Sequence, residues 1–302
     1  MRIGLGLGLA MVVACACHTE FDPCDELDFR EFPDTASAMT AILDEAGPAK
    51  VYAVGEYHPT RVPNGARTPL SRFTGEIMDL LVPRSRHLVV ETWLDDDCDA
   101  AGRQVRKEVQ DATGRPPSTG TDIEALVMKS RKKKLETHGL PMTCIEHGSL
   151  LDPTGRVDFL RLLELITEKL GTTARSLVSD RKPDERWARS NPGGIAEVDR
   201  AVIVYGGALH NDLYPRWPLA ALSYAKGLQK DLGGGVIELD LVVPEVVAPM
   251  PMVRLEDWFP LIGRSSPDRV IVWQRGPQSY VLILPAKDQL TANVAKPVAR
   301  PY

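Results

Sequence analysis

The sequence lacks several short motifs that assign a chemistry directly. It has no Cys-x-x-Cys pair, so a thiolate zinc knuckle or a thioredoxin-like redox site is not expected. It has no Gly-x-Ser-x-Gly, the nucleophile elbow of many serine hydrolases. Its glycine run at 233–235 is not followed by Lys-Ser/Thr, so we expect a turn there and not a phosphate-binding loop.

The sequence also has no excess of positively charged residues. The 302 residues contain 36 Lys and Arg against 41 Asp and Glu, and the formal charge of −5 argues against a protein that coats nucleic acid. The basic run at 131–134 is expected to be a solvated helix face, and no nucleic-acid partner is predicted. With 43% hydrophobic residues the chain can bury a large core, and we predict a single α/β domain over residues 35–302.

The longest apolar stretch lies at the N-terminus and is short. It covers residues 3–16 after Arg2, whereas a membrane-spanning helix needs about 20 residues. A positive charge, a short apolar run and small residues indicate an export signal. The junction Val-Val-Ala-Cys ending at Cys15 resembles a bacterial lipobox. We therefore predict a signal peptide over 1–14, lipidation of Cys15 and a membrane anchor. Ala16, directly after the lipidated cysteine, favours an anchor in the outer membrane over one in the inner membrane. The alternative is an ordinary signal peptide that is cleaved after Ala16 and leaves no lipid anchor.

The remaining cysteines are few. Four are left if Cys15 carries lipid, namely Cys17, Cys24, Cys98 and Cys144. An exported protein lies in a disulfide-permissive compartment, but four thiols allow three complete pairings and the sequence does not choose among them. Residues 15–34 are acidic and contain prolines, and we predict that they form a tether.

Strand and helix patterns alternate along the rest of the chain. Short apolar, β-branched runs end at Gly, Glu or His, and amphipathic stretches separate them. This alternation predicts an α/β fold with a mostly parallel central sheet flanked by helices, and a C-terminal antiparallel hairpin. The predicted strands are 50–54, 87–91, 141–145, 201–205, 236–243, 269–273 and 280–284. The predicted helices are 36–46, 69–81, 97–111, 121–139, 155–170, 173–189 and 217–230.

Histidines and carboxylates follow several predicted strands. Glu56 and His58 follow the first strand, Glu91 ends the second, Glu146 follows the third and His210 follows the fourth. Ligands of open parallel sheets bind beyond the carboxyl ends of the strands, so these side chains are expected to converge. Two of the segments share the pattern apolar strand and then Gly-x-x-His, in which we expect the glycine to let the backbone turn out of the sheet.

This set suits a divalent metal. Two imidazoles and two carboxylates are ordinary ligands for manganese, cobalt or zinc, and we predict His58, His210, Glu91 and Glu146 as the ligands. Glu56 is then predicted to deprotonate the attacking water as general base. The catalytic set predicted from the sequence is Glu56, His58, Glu91 and His210.

The order of these motifs resembles the Tiki/ChaN/erythromycin-esterase superfamily. The resemblance lies in strand-Gly-Glu-x-His at 51–58, a later strand that ends in Glu91, and strand-Gly-x-x-His at 203–210. It implies a mainly parallel sheet and a site built from these motifs. Such a site would hydrolyse amide or ester bonds of a small-molecule or peptide substrate. The ChaN-like branch implies instead a non-catalytic lipoprotein that binds haem, with Tyr57 or a motif histidine as axial ligand. A third possibility is a degenerate member with a structural role only.

Overall fold

The fold is mixed α/β, built on one eight-stranded sheet. The computed structural model describes residues 27–58, 62–63, 65–93, 107, 118–179 and 200–286. The sheet order is β1-β7-β8-β6-β2-β5-β3-β4. The strands are β1 Phe29–Phe32, β2 Val51–Glu56, β3 Ser85–Val90, β4 Glu136–His138, β5 Ala201–Gly207, β6 Val236–Val242, β7 Val270–Gly276 and β8 Ser279–Ile283.

Helices cover both faces of this sheet. They are α1 Thr35–Ala46, α2 Pro69–Arg72, α3 Met78–Leu81, α4 Ser118–Lys132, α5 Cys144–Ser149, α6 Phe159–Ser179, α7 Ala208–Asn211, α8 Ala225–Asp231 and α9 Pro244–Val247. A π-helical turn, Phe73–Ile77, joins α2 to α3, so the predicted helix at 69–81 is continuous but wider in its middle. Within the described residues, no helix combines the length and the apolar character that crossing a membrane requires.

The central strands are buried on both faces. Strands β2, β5 and β6 are buried at every position and pair in parallel, with β2 between the other two. Alternate residues of β2 enter two cores: Tyr52 and Val54 pack on the side of α1, whereas Val51 and Ala53 pack on the side of α6. Such continuous apolar runs are expected of parallel strands covered by helices, and the predicted mostly parallel sheet is confirmed.

The antiparallel part lies at one end of the sheet. Strands β7 and β8 form the predicted C-terminal hairpin, and β1 pairs antiparallel with β7. Strand β1 lies inside the predicted tether at 15–34, so the tether prediction is corrected for residues 29–32. Phe29 packs on the third core, around Trp258, and this apolar contact explains why an acidic segment joins the sheet.

Between β3 and α6, one predicted element is wrong and another is too long. No strand forms at 141–145, because residues 141–143 precede helix α5, which begins at Cys144 and whose first turn is closed by a capping box between Thr143 and Glu146. The predicted helix at 121–139 ends at Lys132, and Glu136–His138 form the edge strand β4. Lys134 has a φ of 61°, a left-handed conformation that terminates the helix.

Several predictions lie outside the described residues. These are the signal peptide at 1–14, the lipidation of Cys15, residues 15–26 of the tether, the helix at 97–111 apart from residue 107, and residues 180–189 of the helix predicted at 173–189. Cys144 is disulfide-bonded, and the other cysteines, Cys17, Cys24 and Cys98 among them, lie outside the described residues.

Candidate functional site

Three neighbouring strands bring the candidate residues together. Glu56 is the last residue of β2, Glu91 follows β3, and β5 leads into α7, which contains His210. Because β2, β5 and β3 are adjacent and parallel, their carboxyl ends lie at the same edge of the sheet. Three of these side chains are buried, so the surrounding core restricts their positions; they are Glu56, Glu91 and His210.

His58 lies between two carboxylates. Its Nδ1 is 2.8 Å from Glu56 Oε1, and its Nε2 is 3.3 Å from Glu91 Oε1. The His58 side chain is 28% exposed, whereas those of Glu56 and Glu91 are 8% and 6% exposed. An ionised carboxylate can only accept, so Nδ1 donates its hydrogen to Glu56. The imidazole is thus oriented at Nδ1, and its Nε2 edge adjoins Glu91.

Each carboxylate is fixed by a second partner. Tyr205 Oη donates to Glu56 Oε2 at 2.5 Å, and the backbone N–H of Gly207 donates to Glu91 Oε2 at 2.6 Å. Burial, and next the charge of Glu56, raises the pKa of Tyr205 well above its ordinary value. The phenol therefore remains a hydrogen-bond donor to Glu56. Tyr205 also stacks on Phe73, with ring centroids 4.7 Å apart.

The glycines of the motifs make space for these side chains. A Cβ at Gly55 would lie 2.2 Å from Asp240 Oδ1, and one at Gly206 would lie 2.9 Å from Glu91 Oε2. A Cβ at Gly207 would lie 3.0 Å from His58 Nε2. Gly207 has an ordinary φ of −66°. The expected sharp turn is therefore not the reason for this glycine, which instead lets polar groups approach the backbone closely.

His210 is the second imidazole of the site. It is 2% exposed, and its Nδ1 is 3.1 Å from the carbonyl oxygen of Leu222 and 2.8 Å from Thr167 Oγ1. A carbonyl can only accept, so Nδ1 carries the hydrogen in this arrangement. The Cδ2 edge of the ring faces the other way and would lie 3.5 Å from a Cβ at Gly207. His58 and His210 thus border the same glycine.

Glu146 lies in a different setting from the other predicted ligands. Its carboxylate closes the capping box of α5 with Thr143 and pairs with Lys169 at 2.6 Å. The hydrogen bond with Lys169, followed by the bond from the Thr143 backbone, lowers the pKa of Glu146 to about 2. These contacts explain Glu146 as a helix-capping residue on α5.

A cluster of three carboxylates and one guanidinium includes two buried residues of β6, the strand next to β2, and sequence reasoning missed it. It consists of Asp212, Glu238, Asp240 and Arg275. Arg275 Nη1 is 2.8 Å from Asp212 Oδ1 and 3.3 Å from Glu238 Oε1, and Nη2 is 3.5 Å from Asp240 Oδ2. Burial, and next the charge of Glu238, raises the pKa of Asp240 well above its ordinary value. The two carboxylates Glu238 and Asp240, alternating within the apolar strand β6, are the sequence signal that could have revealed it.

The predicted metal ligands do not converge as a set. A protein metal site normally needs three or four ligand atoms around one ion. His58 Nε2 and Glu91 Oε1, 3.3 Å apart, are close enough to share one ion. Within the described part of the chain, however, no third atom from His210 or Glu146 joins them inside a common 4.8 Å. A metal between His58 and Glu91 would therefore have only these two of the four predicted ligands.

Tyr57, the predicted haem ligand, is part of the third core. Its ring packs on Trp258, with centroids 5.4 Å apart. Burial, and next the charge of Asp240, raises the pKa of Tyr57 well above its ordinary value. An axial tyrosine ligates haem iron as the phenolate, so this environment opposes that role.

Comparisons with known proteins identify no family. No protein-family model and no curated protein sequence matches the chain. A solved structure described as "The structure of the type III effector HopBA1" matches with a TM-score of 0.38 and 12% identity, covering 87% of this chain and 98% of that one. We draw nothing about fold or function from a likeness at this level.

Proposed function

We propose that the chain hydrolyses ester or amide bonds of a small-molecule or peptide substrate, with His58 as the general base. The observation that supports this most is the placement of His58 between Glu56 and Glu91, at 2.8 and 3.3 Å, where three parallel strands end. A histidine oriented by a carboxylate and partly open to solvent is suited to activate water. The resemblance to the Tiki/ChaN/erythromycin-esterase superfamily supports the same chemistry.

The proposed reaction uses the two ring nitrogens differently. In the neutral tautomer that carries its hydrogen on Nδ1 and donates it to Glu56, Nε2 is the ring nitrogen that accepts a proton from water. The water oxygen attacks the carbonyl carbon, and the proton passes from Nε2 to the leaving oxygen or nitrogen as the bond to carbon breaks. Glu91, beside Nε2, stabilises the imidazolium formed between the two steps.

This mechanism changes the predicted role of Glu56. Both of its oxygens are engaged, by His58 Nδ1 and by Tyr205 Oη. We therefore assign it to orienting the imidazole and not to removing the proton from water. His210, held at Nδ1 by Leu222 and Thr167, is proposed to position the substrate on the other side of Gly207.

A hydrolysis screen with matched variants tests the proposal. The purified protein would be assayed on chromogenic esters and amides of small acids and short peptides. We expect His58→Gln to lose activity by roughly 100-fold or more, as general bases typically contribute. Glu146→Gln, which changes the predicted ligand that instead caps α5, is expected to keep the wild-type rate. Equal activity in wild type and His58→Gln contradicts the proposal, and a Soret band with no hydrolysis favours the haem-binding alternative.

We also propose that the protein is exported and anchored by lipid at Cys15, with the outer membrane favoured. The disulfide at Cys144 supports export, because disulfides persist in oxidising compartments. Labelling with a radioactive fatty acid tests the anchor. Label in the wild type and none in Cys15→Ala is expected, and label in both would overturn it.

A further inference from the structure

A group of three metal-binding side chains lies on the edge of the sheet away from the proposed catalytic residues. Strands β3 and β4 pair in parallel, with His87 opposite Glu136 and Val89 opposite His138. Residues two apart in a strand share a face, so Glu136 and His138 project from the same side of β4. The pairing places His87 on that side as well. The strand pairing thus brings together three possible ligands that come from two distant parts of the sequence and form no recognisable metal motif.

The distances within this group fit a tetrahedral ion. His87 Nδ1 is 3.1 Å from His138 Nε2 and 3.5 Å from Glu136 Oε2. Bonds of about 2.0–2.1 Å to zinc at tetrahedral angles require ligand atoms about 3.3–3.4 Å apart. The three ligand atoms all lie within 4.8 Å of one another. Within the residues that the structure describes, this is the only group of three His, Cys, Asp or Glu side chains that meets that spacing.

A partner outside the group orients its carboxylate. Arg86 Nε and Nη2 lie 3.1 and 3.0 Å from Glu136 Oε1, which orients the carboxylate and leaves Oε2 toward the histidines. Such a partner on the outer oxygen is typical of metal-bound carboxylates.

We propose that His87, Glu136 and His138 form a divalent-metal site that selects zinc and joins the edge strand β4 to β3. Two imidazoles and one carboxylate are an established zinc ligand set, in which water takes the fourth tetrahedral position. Strand β4 has only three residues and pairs only with β3 within the described part of the sheet, so a shared ion adds a bond where pairing is shortest. The ion is proposed to be structural. His87 and Glu91 are four residues apart, roughly 13 Å along a strand, so the site is separate from His58.

Zinc titration with ligand variants tests this site. Equilibrium dialysis of the purified protein against zinc chloride, followed by elemental analysis, gives affinity and stoichiometry. We expect about one equivalent bound, with affinity reduced roughly 100-fold or more in His138→Gln and Glu136→Gln. Glu124→Gln, an exposed glutamate on α4, and His210→Gln are matched controls that should bind zinc as the wild type does.

Two further readouts keep the test decisive if a variant folds poorly. Cobalt substituted for zinc should give the intense visible absorption of tetrahedral coordination in wild type and in both controls, and not in either ligand variant. The thermal midpoint should rise with zinc concentration in the same pattern, since a ligand that binds only the folded state stabilises it. Wild-type protein that binds no zinc, or zinc binding retained in His138→Gln and lost in His210→Gln, overturns this site. Neither result depends on whether the protein hydrolyses esters.

Discussion

Substitution of Gly207 by alanine is expected to change the catalytic rate more than the stability of the fold. The backbone at Gly207 has φ −66° and ψ 138°, which alanine adopts without strain. The added methyl would lie 3.0 Å from His58 Nε2, 3.5 Å from Glu91 Oε2 and 3.5 Å from His210 Cδ2. It would therefore stand among the three proposed catalytic side chains, and the ring of His58 must move by a few tenths of an ångström.

The effect on stability is expected to be small and the effect on rate large. Removing a glycine lowers the entropy of the unfolded chain, a gain of about 0.4–1 kcal/mol that offsets the new contact. A displaced base is costly, since misplacement by about 1 Å reduces rates roughly 100-fold. A 100-fold loss corresponds to about 2.7 kcal/mol of transition-state stabilisation. Since the ring moves by only a few tenths of an ångström, we expect Gly207→Ala to lose kcat/KM by up to that factor and to unfold within about 1 kcal/mol of wild type.

Gly55→Ala is the matched comparison. Its methyl would lie 2.2 Å from Asp240 Oδ1 and 2.8 Å from the Cα of Ala208, which is backbone and cannot swing away. Overpacking of this kind costs about 1–3 kcal/mol, so this variant should lose stability measurably. Urea denaturation and ester hydrolysis, measured on both variants, give the comparison. Wild-type kcat/KM in Gly207→Ala would refute the placement of the reaction beside this glycine.

Three other predictions concern polar groups in and around the site. Tyr205→Phe removes the donor to the buried Glu56 carboxylate and should cost about 1–3 kcal/mol in urea denaturation; an unchanged midpoint would contradict it. The lowered pKa of Glu146, about 2, means that its pairing with Lys169 stabilises the fold above about pH 4.5 and is lost as the pH falls toward 2. Because this pair is partly exposed, Glu146→Gln should cost at most about 1 kcal/mol at pH 7 and clearly less at pH 2, and an equal cost at both would be inconsistent with it. Burial raises the pKa of Glu238 to about 7, so the stability that its protonated form contributes is fully present below about pH 4.5 and is lost as the pH rises to 7. Glu238→Gln should therefore flatten the dependence of the free energy of unfolding on pH in that window. An unchanged slope would contradict this prediction.

The fold could be predicted where local pattern and tertiary environment agree. The run AVIVY at 201–205 forms a strand because every residue is apolar and every position of β5 is buried. The rule that ligands bind at the carboxyl ends of parallel strands identified Glu56, His58, Glu91 and His210 before any register was known. The structure brings Glu56, His58 and Glu91 into direct contact, with His210 beside them.

One failed prediction overlooked a local signal, and the others depend on contacts between residues that are far apart in the sequence. The run at 141–145 is short and apolar like a strand, but Thr143 and Glu146 form a capping box, a signal of a helix start that was present in the sequence. The metal-binding potential of His87 depends on its register with Glu136, and strand β4 is too short and polar to be recognised. The partnership of Tyr205 with Glu56 likewise follows from the pairing of β2 with β5.

The measurement that tests the central claim most directly is hydrolysis after exhaustive treatment with a chelator. The claim is that His58, oriented by Glu56, activates water without an ion at this position. Wild-type protein should keep its kcat/KM after chelation, and His58→Gln should be slower by roughly 100-fold or more with or without chelation. Activity that disappears with the chelator and returns with manganese, cobalt or zinc, in a manner that requires His58 and His210, would contradict this account and restore the metal-dependent mechanism.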